Sequence, residues 1–369
     1  MKSVELGTRP KAQSVSAAEG LPYHRLVLTR VDVADLIADT EREIRGLVGD
    51  RDTATKPLYE MMRYHLGLDG GKHDAGKRIR PLLGLLAYMS LTGEHERALP
   101  GAAAVELGHN FSLVHDDIED RDVERRHRAT LWAVYGVAQA INAGDTLFVL
   151  SRLALHRLTE LGFSDSKVLR LMRVYDETCL DLCEGQFLDI WASEHADEMS
   201  VDLYLEMVGK KTAALIAGSV QGGAMLASDD PGVVEAFRSF GWALGIAFQV
   251  NDDVLGIWGS ELATGKEASD LAKHKRTLPV IYALQHGSPD DRARLLDLDA
   301  VIDLSADQVT EIRDILERTG ARDYARAEAR RWRDAALEGL DALGRLPEVR
   351  VDDHAHTRLR EIVISAISA

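Results

Sequence analysis

The sequence predicts an all-α fold, and three observations carry that expectation. Proline, which a helix interior rejects, is absent between Pro100 and Pro231, and the next is Pro279, while Leu, Ala and Glu recur across the interval. Near the C-terminus Ala325, Ala329, Trp332, Ala336, Leu340 and Leu343 repeat at helical spacing as one apolar stripe, with Arg and Glu on the opposite face. The one strand-like run, around Leu26 to Val33, would have no partner strand.

Taken in order, residues 1 to 25 read as a mobile tail and residues 26 to 369 as a single all-α domain. Turn formers break the helices at Leu68-Asp69-Gly70-Gly71, at Ser228-Asp229-Asp230-Pro231-Gly232 and at Gly287-Ser288-Pro289-Asp290. None of these is long enough to be a linker, and no repeat of fixed period appears. The C-terminal stripe is core packing.

Composition narrows the function. With 44 Lys+Arg against 60 Asp+Glu the net charge is −16, which argues against a nucleic-acid binder. Hydrophobic residues at 46% and charged residues at 28% are those of a globular chain. No apolar run approaches the roughly 18 residues of a membrane span, and the first twenty residues lack an apolar signal-peptide core, so a cytoplasmic location is expected. Cys179 and Cys183 are too few for a disulfide framework; their spacing reads as two small core thiols on one helix.

The chemistry concentrates in three segments. In LVHDDIEDRDVERR, Asp116 and Asp120 share a helix face with Asp117 beside them, so three carboxylates converge, which is destabilising unless a cation sits among them. Oxygen ligands without Cys or His suit Mg²⁺, and Arg125 and Arg126 follow closely enough to take phosphate oxygens. In GIAFQVNDDVLGIWG, Asp252 and Asp253 sit inside an apolar helix, where buried carboxylates need a partner. Beyond them TGKEASDLAKHKR supplies Lys266, Asp270 and Lys275. In GKRIRP, Lys77 and Arg80 fall one turn apart on one side of a helix start. With Gly71 this segment also approximates a phosphate-binding loop, but Arg78 stands where Ser or Thr should meet Mg²⁺ and no strand precedes it, which excludes a nucleoside triphosphatase.

From about residue 30 to the C-terminus the ordered set GKRIRP, DDIED with its two arginines, GQ, KT, FQ with DD, and TGK with its downstream Asp and Lys resembles the trans-prenyltransferases. These are polyprenyl diphosphate synthases of the isoprenoid synthase class, and the nearest likeness is to geranylgeranyl diphosphate synthases. The resemblance implies a helical barrel around a central apolar tunnel. Asp116, Asp117 and Asp120 would correspond to the first aspartate-rich motif and Asp252 and Asp253 to the second, together holding about three Mg²⁺ on an allylic diphosphate. Arg125, Lys211 and Lys266 would grip that diphosphate; Lys77, Arg80, His109 and Arg126 would bind isopentenyl diphosphate. Thr212 and Gln186 would lie near the carbocation, with Asp189, Gln249 and Lys275 at accessory positions. Phe111 and Ser112, five and four residues before the first aspartate, would form the tunnel floor and stop growth at twenty carbons.

The implied reaction is Mg²⁺-assisted ionisation of the allylic diphosphate, attack by the isopentenyl double bond and loss of a proton, in a homodimer. Farnesyl diphosphate is the alternative product. A terpene cyclase would carry (N/D)DxxSxxxE as its second metal motif, and Gly256 and Ser260 fail that pattern. A catalytically silent partner subunit is the third reading. Two positions depart from the family: Gly256 stands where the second motif ends in a third aspartate, and His127-Arg128-Ala129-Thr130 replaces Gly-x-Pro-Thr.

Overall fold

The side chain of Asp32 accepts a hydrogen bond from the Ala34 amide and starts the first helix, α1 (Val33–Val48). Val33 thus opens a helix and does not end a strand. The computed structural model describes residues 32–70, 76–195, 198–259, 269–272, 274–301, 303–345 and 352–367. The expected tail, residues 26 to 31 of the strand-like run, and Lys266 lie outside these.

The helices that follow are α2 (Lys56–His65), α3 (Ile79–Thr92), α4 (Leu99–Glu119), α5 (Leu131–Tyr135), α6 (Val137–His156), α7 (Asp165–Glu194) and α8 (Val201–Val208). A π-type turn, Gly209–Ala213, joins α8 to α9 (Ala214–Ala227). Then come α10 (Pro231–Trp258), α11 (Ser269–Ala272), α12 (Leu278–His286), α13 (Pro289–Asp299), α14 (Ala306–Arg318), α15 (Ala321–Leu343) and α16 (Asp353–Ala366). The turn-rich breaks do what their chemistry requires. Asp230 and Ser288 cap α10 and α13 by accepting from backbone amides, with Pro231 and Pro289 in the first turns where no amide is needed.

Helix α4 packs along α6, α9 lies against both α3 and α10, and α10 packs along α15. The main core draws Leu83 and Leu86 from α3, Ile216 and Val220 from α9, Phe237 and Phe240 from α10, and Ala336 and Leu340 from α15. The C-terminal stripe is therefore buried as its spacing demands; Trp332 is partly covered. The two thiols divide: Cys179 is buried, but Cys183 is exposed, because only Cys179 lies on the face of α7 that meets the core.

Two local features differ from expectation. Lys77 lies outside α3, because Arg78 adopts the left-handed conformation (φ 47°) and the helix begins at Ile79. The Arg78 side chain is fully buried, 2.5 Å from Glu106 Oε1, 2.6 Å from the Leu66 carbonyl and 3.5 Å from Glu41. In the loop after α4 a hairpin forms, β1 (Glu124–Arg125) antiparallel to β2 (Arg128–Ala129). Arg126 and His127 both take positive φ (51° and 60°), the conformation that a two-residue hairpin turn requires, so the altered loop sequence still closes.

Candidate active site

The first aspartate segment occupies the last turn of α4. Asp116 stands between Lys211 Nζ at 3.3 Å and Arg125 Nη2 at 3.4 Å. Asp117 is 1% exposed; its Oδ1 accepts from Arg125 Nε at 2.6 Å, and its Oδ2 is buried without a partner. Burial raises the Asp117 pKa to about 6 against the opposing pull of Arg125. Asp120 stands at the C-terminal rim of α4, open to solvent but enclosed by protein mass; that desolvation and the charge of Asp116 raise its pKa to about 6 as well. Lys211 also pairs with Asp189 of α7. Gln186, one turn before Asp189, donates to Glu119 at 2.7 Å.

Across from α4, the carboxylate of Asp253 on α10 is an internal anchor. Its Oδ2 accepts from the Tyr204 hydroxyl at 2.6 Å and the Leu278 amide at 2.9 Å, and its Oδ1 accepts from Gln249 Nε2 at 3.0 Å. The Gln249 carbonyl in turn accepts from Thr212 Oγ1 at 3.0 Å. Burial pushes the Asp253 pKa up to about 7, with the three hydrogen bonds acting the other way. Asp252 is the exposed member of the pair, its pKa raised by burial and by the charge of Asp270, and lowered by Lys275 and Lys77.

A cationic pocket adjoins Asp117. Arg80 Nη1 lies 3.1 Å from His109 Nε2; a guanidinium can only donate, so this nitrogen accepts and the proton sits on Nδ1. Burial, followed by Arg80 and Arg126, holds His109 well below its usual pKa, which keeps it neutral. The Arg126 guanidinium rests on Gly76: a Cβ there would come 2.6 Å from its central carbon, and Gly76 has φ +86°. His65, which the sequence did not single out, faces the same pocket. Burial and then Arg125, Arg126 and Arg78 lower its pKa to about 3, and its Nε2 is buried without a partner.

An apolar slot opens deeper between α3, α4, α7 and α9. Ala98, just before α4, and Gly101, Ala102 and Val105 of α4 line it, with Tyr175 of α7 and Gly218 of α9. The slot is narrow, with about 510 Å³ of empty space that includes solvent at its opening. Ser112 is seven residues from Val105 and so nearly in line with it, whereas Phe111 lies about 120° round the helix. The Phe111 ring packs 4.9 Å from Phe148 and edge-on to His115. Tyr175 crosses at the level of Gly108, where a Cβ would meet its hydroxyl at 2.1 Å. That hydroxyl lies 2.7 Å from Ser151 Oγ and 3.3 Å from the Ala104 carbonyl.

Residues 56–317 match the Polyprenyl synthetase family model. The chain belongs to the polyprenyl synthetase family. It is a prenyltransferase, with an isoprenoid synthase helical fold. The (2E,6E)-farnesyl diphosphate synthase of Mycobacterium tuberculosis is 38% identical over 336 residues, 87% of this chain and 89% of that one. Among solved structures, geranylgeranyl pyrophosphate synthetase from Pyrococcus horikoshii is 32% identical with a TM-score of 0.82, over 91% of this chain and 97% of its own. Geranylgeranyl pyrophosphate synthase from Corynebacterium glutamicum, complexed with isoprenyl diphosphate and magnesium, is 26% identical with a TM-score of 0.78, over 91% and 99%.

The donors of this prenyltransferase fit a hard cation. The carboxylates facing the cavity offer oxygen alone, and the orphaned Asp117 Oδ2 is a buried acceptor without a positive partner. Among the described residues no three His, Cys, Asp or Glu side chains approach closely enough to hold a metal by themselves. An ion held here would need substrate and water oxygens to complete its shell, as Mg²⁺ does where it meets phosphates. No described helix is long and apolar enough to cross a membrane.

Proposed function

We propose that this prenyltransferase condenses isopentenyl diphosphate with an allylic diphosphate, and that its chain ends at geranylgeranyl diphosphate. One observation supports the reading: two separate groups of side chains suited to phosphate, Asp116, Asp120, Asp252 and Lys211 in one and Lys77, Arg80, His109 and Arg126 in the other, accompany an apolar slot that opens deeper between α3, α4, α7 and α9. Mg²⁺ held by Asp116, Asp120 and Asp252 supplies charge neutralisation of the leaving diphosphate. Lys211, Arg125 and Lys275 add fixed positive charge on the same side, already oriented by Asp189, Asp117 and Asp270. Neutral His109 takes one donor of Arg80 without offsetting its charge, which stays available to the second diphosphate. Purified protein given Mg²⁺, isopentenyl diphosphate and each allylic starter should yield linear products; a cyclic hydrocarbon or no turnover would overturn the reading.

Separate sites have a kinetic signature. Lys77→Ala and Arg80→Ala are each expected to raise KM for isopentenyl diphosphate roughly 10- to 100-fold while changing KM for the allylic substrate far less. Equal effects on both constants would remove the two-site assignment.

The metal reading predicts a pH dependence. Mg²⁺ would bind deprotonated carboxylates, and Asp120, one of the three proposed to hold it, has its pKa raised to about 6 in the metal-free protein. The Mg²⁺ concentration giving half-maximal turnover should be level above pH 7 and climb below pH 6, by up to about tenfold per pH unit for each proton displaced. Mg²⁺ titrations of turnover at several pH values test this, and a level profile down to pH 5 would contradict it.

Product length rests on the slot. From Asp116 to Ala98 the helix rises about 27 Å, enough for the sixteen main-chain carbons of a geranylgeranyl group at about 1.3 Å each. Tyr175 favours the second reading, a shorter product such as farnesyl diphosphate, because Gly108 lies only about 12 Å below Asp116, well short of the length a geranylgeranyl chain needs. Tyr175→Ala is expected to lengthen the main product by at least one five-carbon unit, and chromatography of the dephosphorylated products would show it. An unchanged distribution would assign the floor elsewhere, with Phe111→Ala as the parallel test.

A homodimer is part of the proposal. Val137, Ile141, Val149 and Leu153 lie exposed along one face of α6, four or eight residues apart, a surface that a second copy would cover. Sedimentation of the purified protein reads the mass directly.

A further inference from the structure

The hairpin after α4 carries Arg125 and Arg126 on a turn poorly suited to hold its own shape. Arg126 and His127 both sit in the left-handed region, where a side chain crowds its own backbone and glycine is the favoured second residue. Each arm of the ribbon is two residues long, and a ribbon that short has little stability by itself. Its support comes from α2. The Arg128 guanidinium lies 3.8 Å from the centre of the Tyr64 ring, donates to the Tyr64 carbonyl at 3.0 Å and meets Asp69 at 2.7 Å, with its side chain only 13% exposed. Tyr64 returns a bond, its hydroxyl donating to the Ala129 carbonyl at 2.9 Å.

We propose that Arg128, clamped between Tyr64 and Asp69, is a positioning residue that fixes the hairpin turn and so seats Arg126 in the isopentenyl diphosphate pocket. The proposal rests on the two-site reading above. The two arginines of the ribbon do not depend on the clamp equally. Arg125 has an anchor inside α4, its Nε 2.6 Å from Asp117 Oδ1. Arg126 stands at the tip, over Gly76, so its seat follows the turn. The ladder also shows how a lost clamp could be repaired. Hydrogen-bonded pairs alternate along an antiparallel ribbon. The Thr130 amide donates to the Val123 carbonyl at 3.0 Å, so the neighbouring pair, Glu124 and Ala129, is a non-bonded one and the ladder asks nothing of the Ala129 amide. Proline is therefore admitted at 129 and glycine relaxes 127, which together stiffen the turn from within.

Steady-state kinetics of full-length variants test this, with circular dichroism to confirm the helices. Arg128→Ala is expected to raise KM for isopentenyl diphosphate about tenfold and KM for the allylic substrate less than about threefold; Arg128→Lys should do the same, since lysine keeps the charge but neither stacks nor forks. Added to Arg126→Ala, Arg128→Ala should have little further effect, because the residue it acts through is already gone. His127→Gly with Ala129→Pro, added to Arg128→Ala, should recover most of the loss. Unchanged KM for isopentenyl diphosphate in Arg128→Ala, equal rises for both substrates, a wild-type-like Arg128→Lys, additive effects with Arg126→Ala or no recovery in the stiffened turn would each overturn the clamp and leave the prenyl-transfer reading intact. Arg126→Ala with KM unchanged would overturn the second diphosphate site itself. If Arg128→Ala does not fold, Tyr64→Phe and Asp69→Asn put the same question with a smaller expected rise, and no rise in either overturns the proposal.

Discussion

Asp116→Ala is expected to lower kcat by about 10³-fold or more, some 4 kcal/mol of transition-state stabilisation, while leaving the helical fold intact. Asp116 lies at the open end of α4, and its two cationic neighbours keep other partners: Lys211 holds Asp189 and Arg125 holds Asp117. Removing the carboxylate therefore strands no buried charge and relieves repulsion with Asp120. What is lost is a donor on the side where the diphosphate leaves, and excess Mg²⁺ should recover little of it. Single-turnover rates with wild-type-like thermal unfolding would bear this out; near-normal turnover would show that the leaving group is handled elsewhere.

Arg78→Met should instead strike stability, by about 3–5 kcal/mol, because it leaves the buried Glu106 carboxylate without its cation. The Leu66 carbonyl loses its donor as well. Denaturant unfolding should show a lowered midpoint, and Glu106→Gln in the same chain should recover part of the loss by removing the stranded charge. A midpoint within about 0.5 kcal/mol of wild type would mean that Glu106 finds another partner. The same substitution should loosen isopentenyl diphosphate binding, since Arg78 fixes the turn between Lys77 and Arg80.

Arg78 illustrates where sequence reading runs out. Lys77 and Arg80 are legible because an ordered set of short motifs names them, and the helices are legible because proline spacing and apolar periodicity are local. The partners of Arg78 come from α1, the end of α2 and α4, and only folding brings them together. The same holds for Tyr175, whose ring meets α4 through Gly108, and for His65, an ordinary histidine until three arginines surround it. Asp252 and Asp253 look equivalent in the sequence. In the structure Asp253 has both oxygens engaged by protein donors and Asp252 faces the cavity, a division set by one 100° step round the helix.

The carboxylate of Asp253 ties three separate stretches of backbone to α10: α8 through Tyr204, the first residue of α12 through the Leu278 amide, and the π-type turn through Gln249 and Thr212. Two of these stretches carry the lysines proposed to grip the leaving diphosphate, with Lys211 beside Thr212 and Lys275 three residues before Leu278. The two walls of the leaving-group site therefore share a single rivet. A shift of the α10 wall drags both lysines with it, so the grip on the departing diphosphate and the seat of its cation tighten or slacken together.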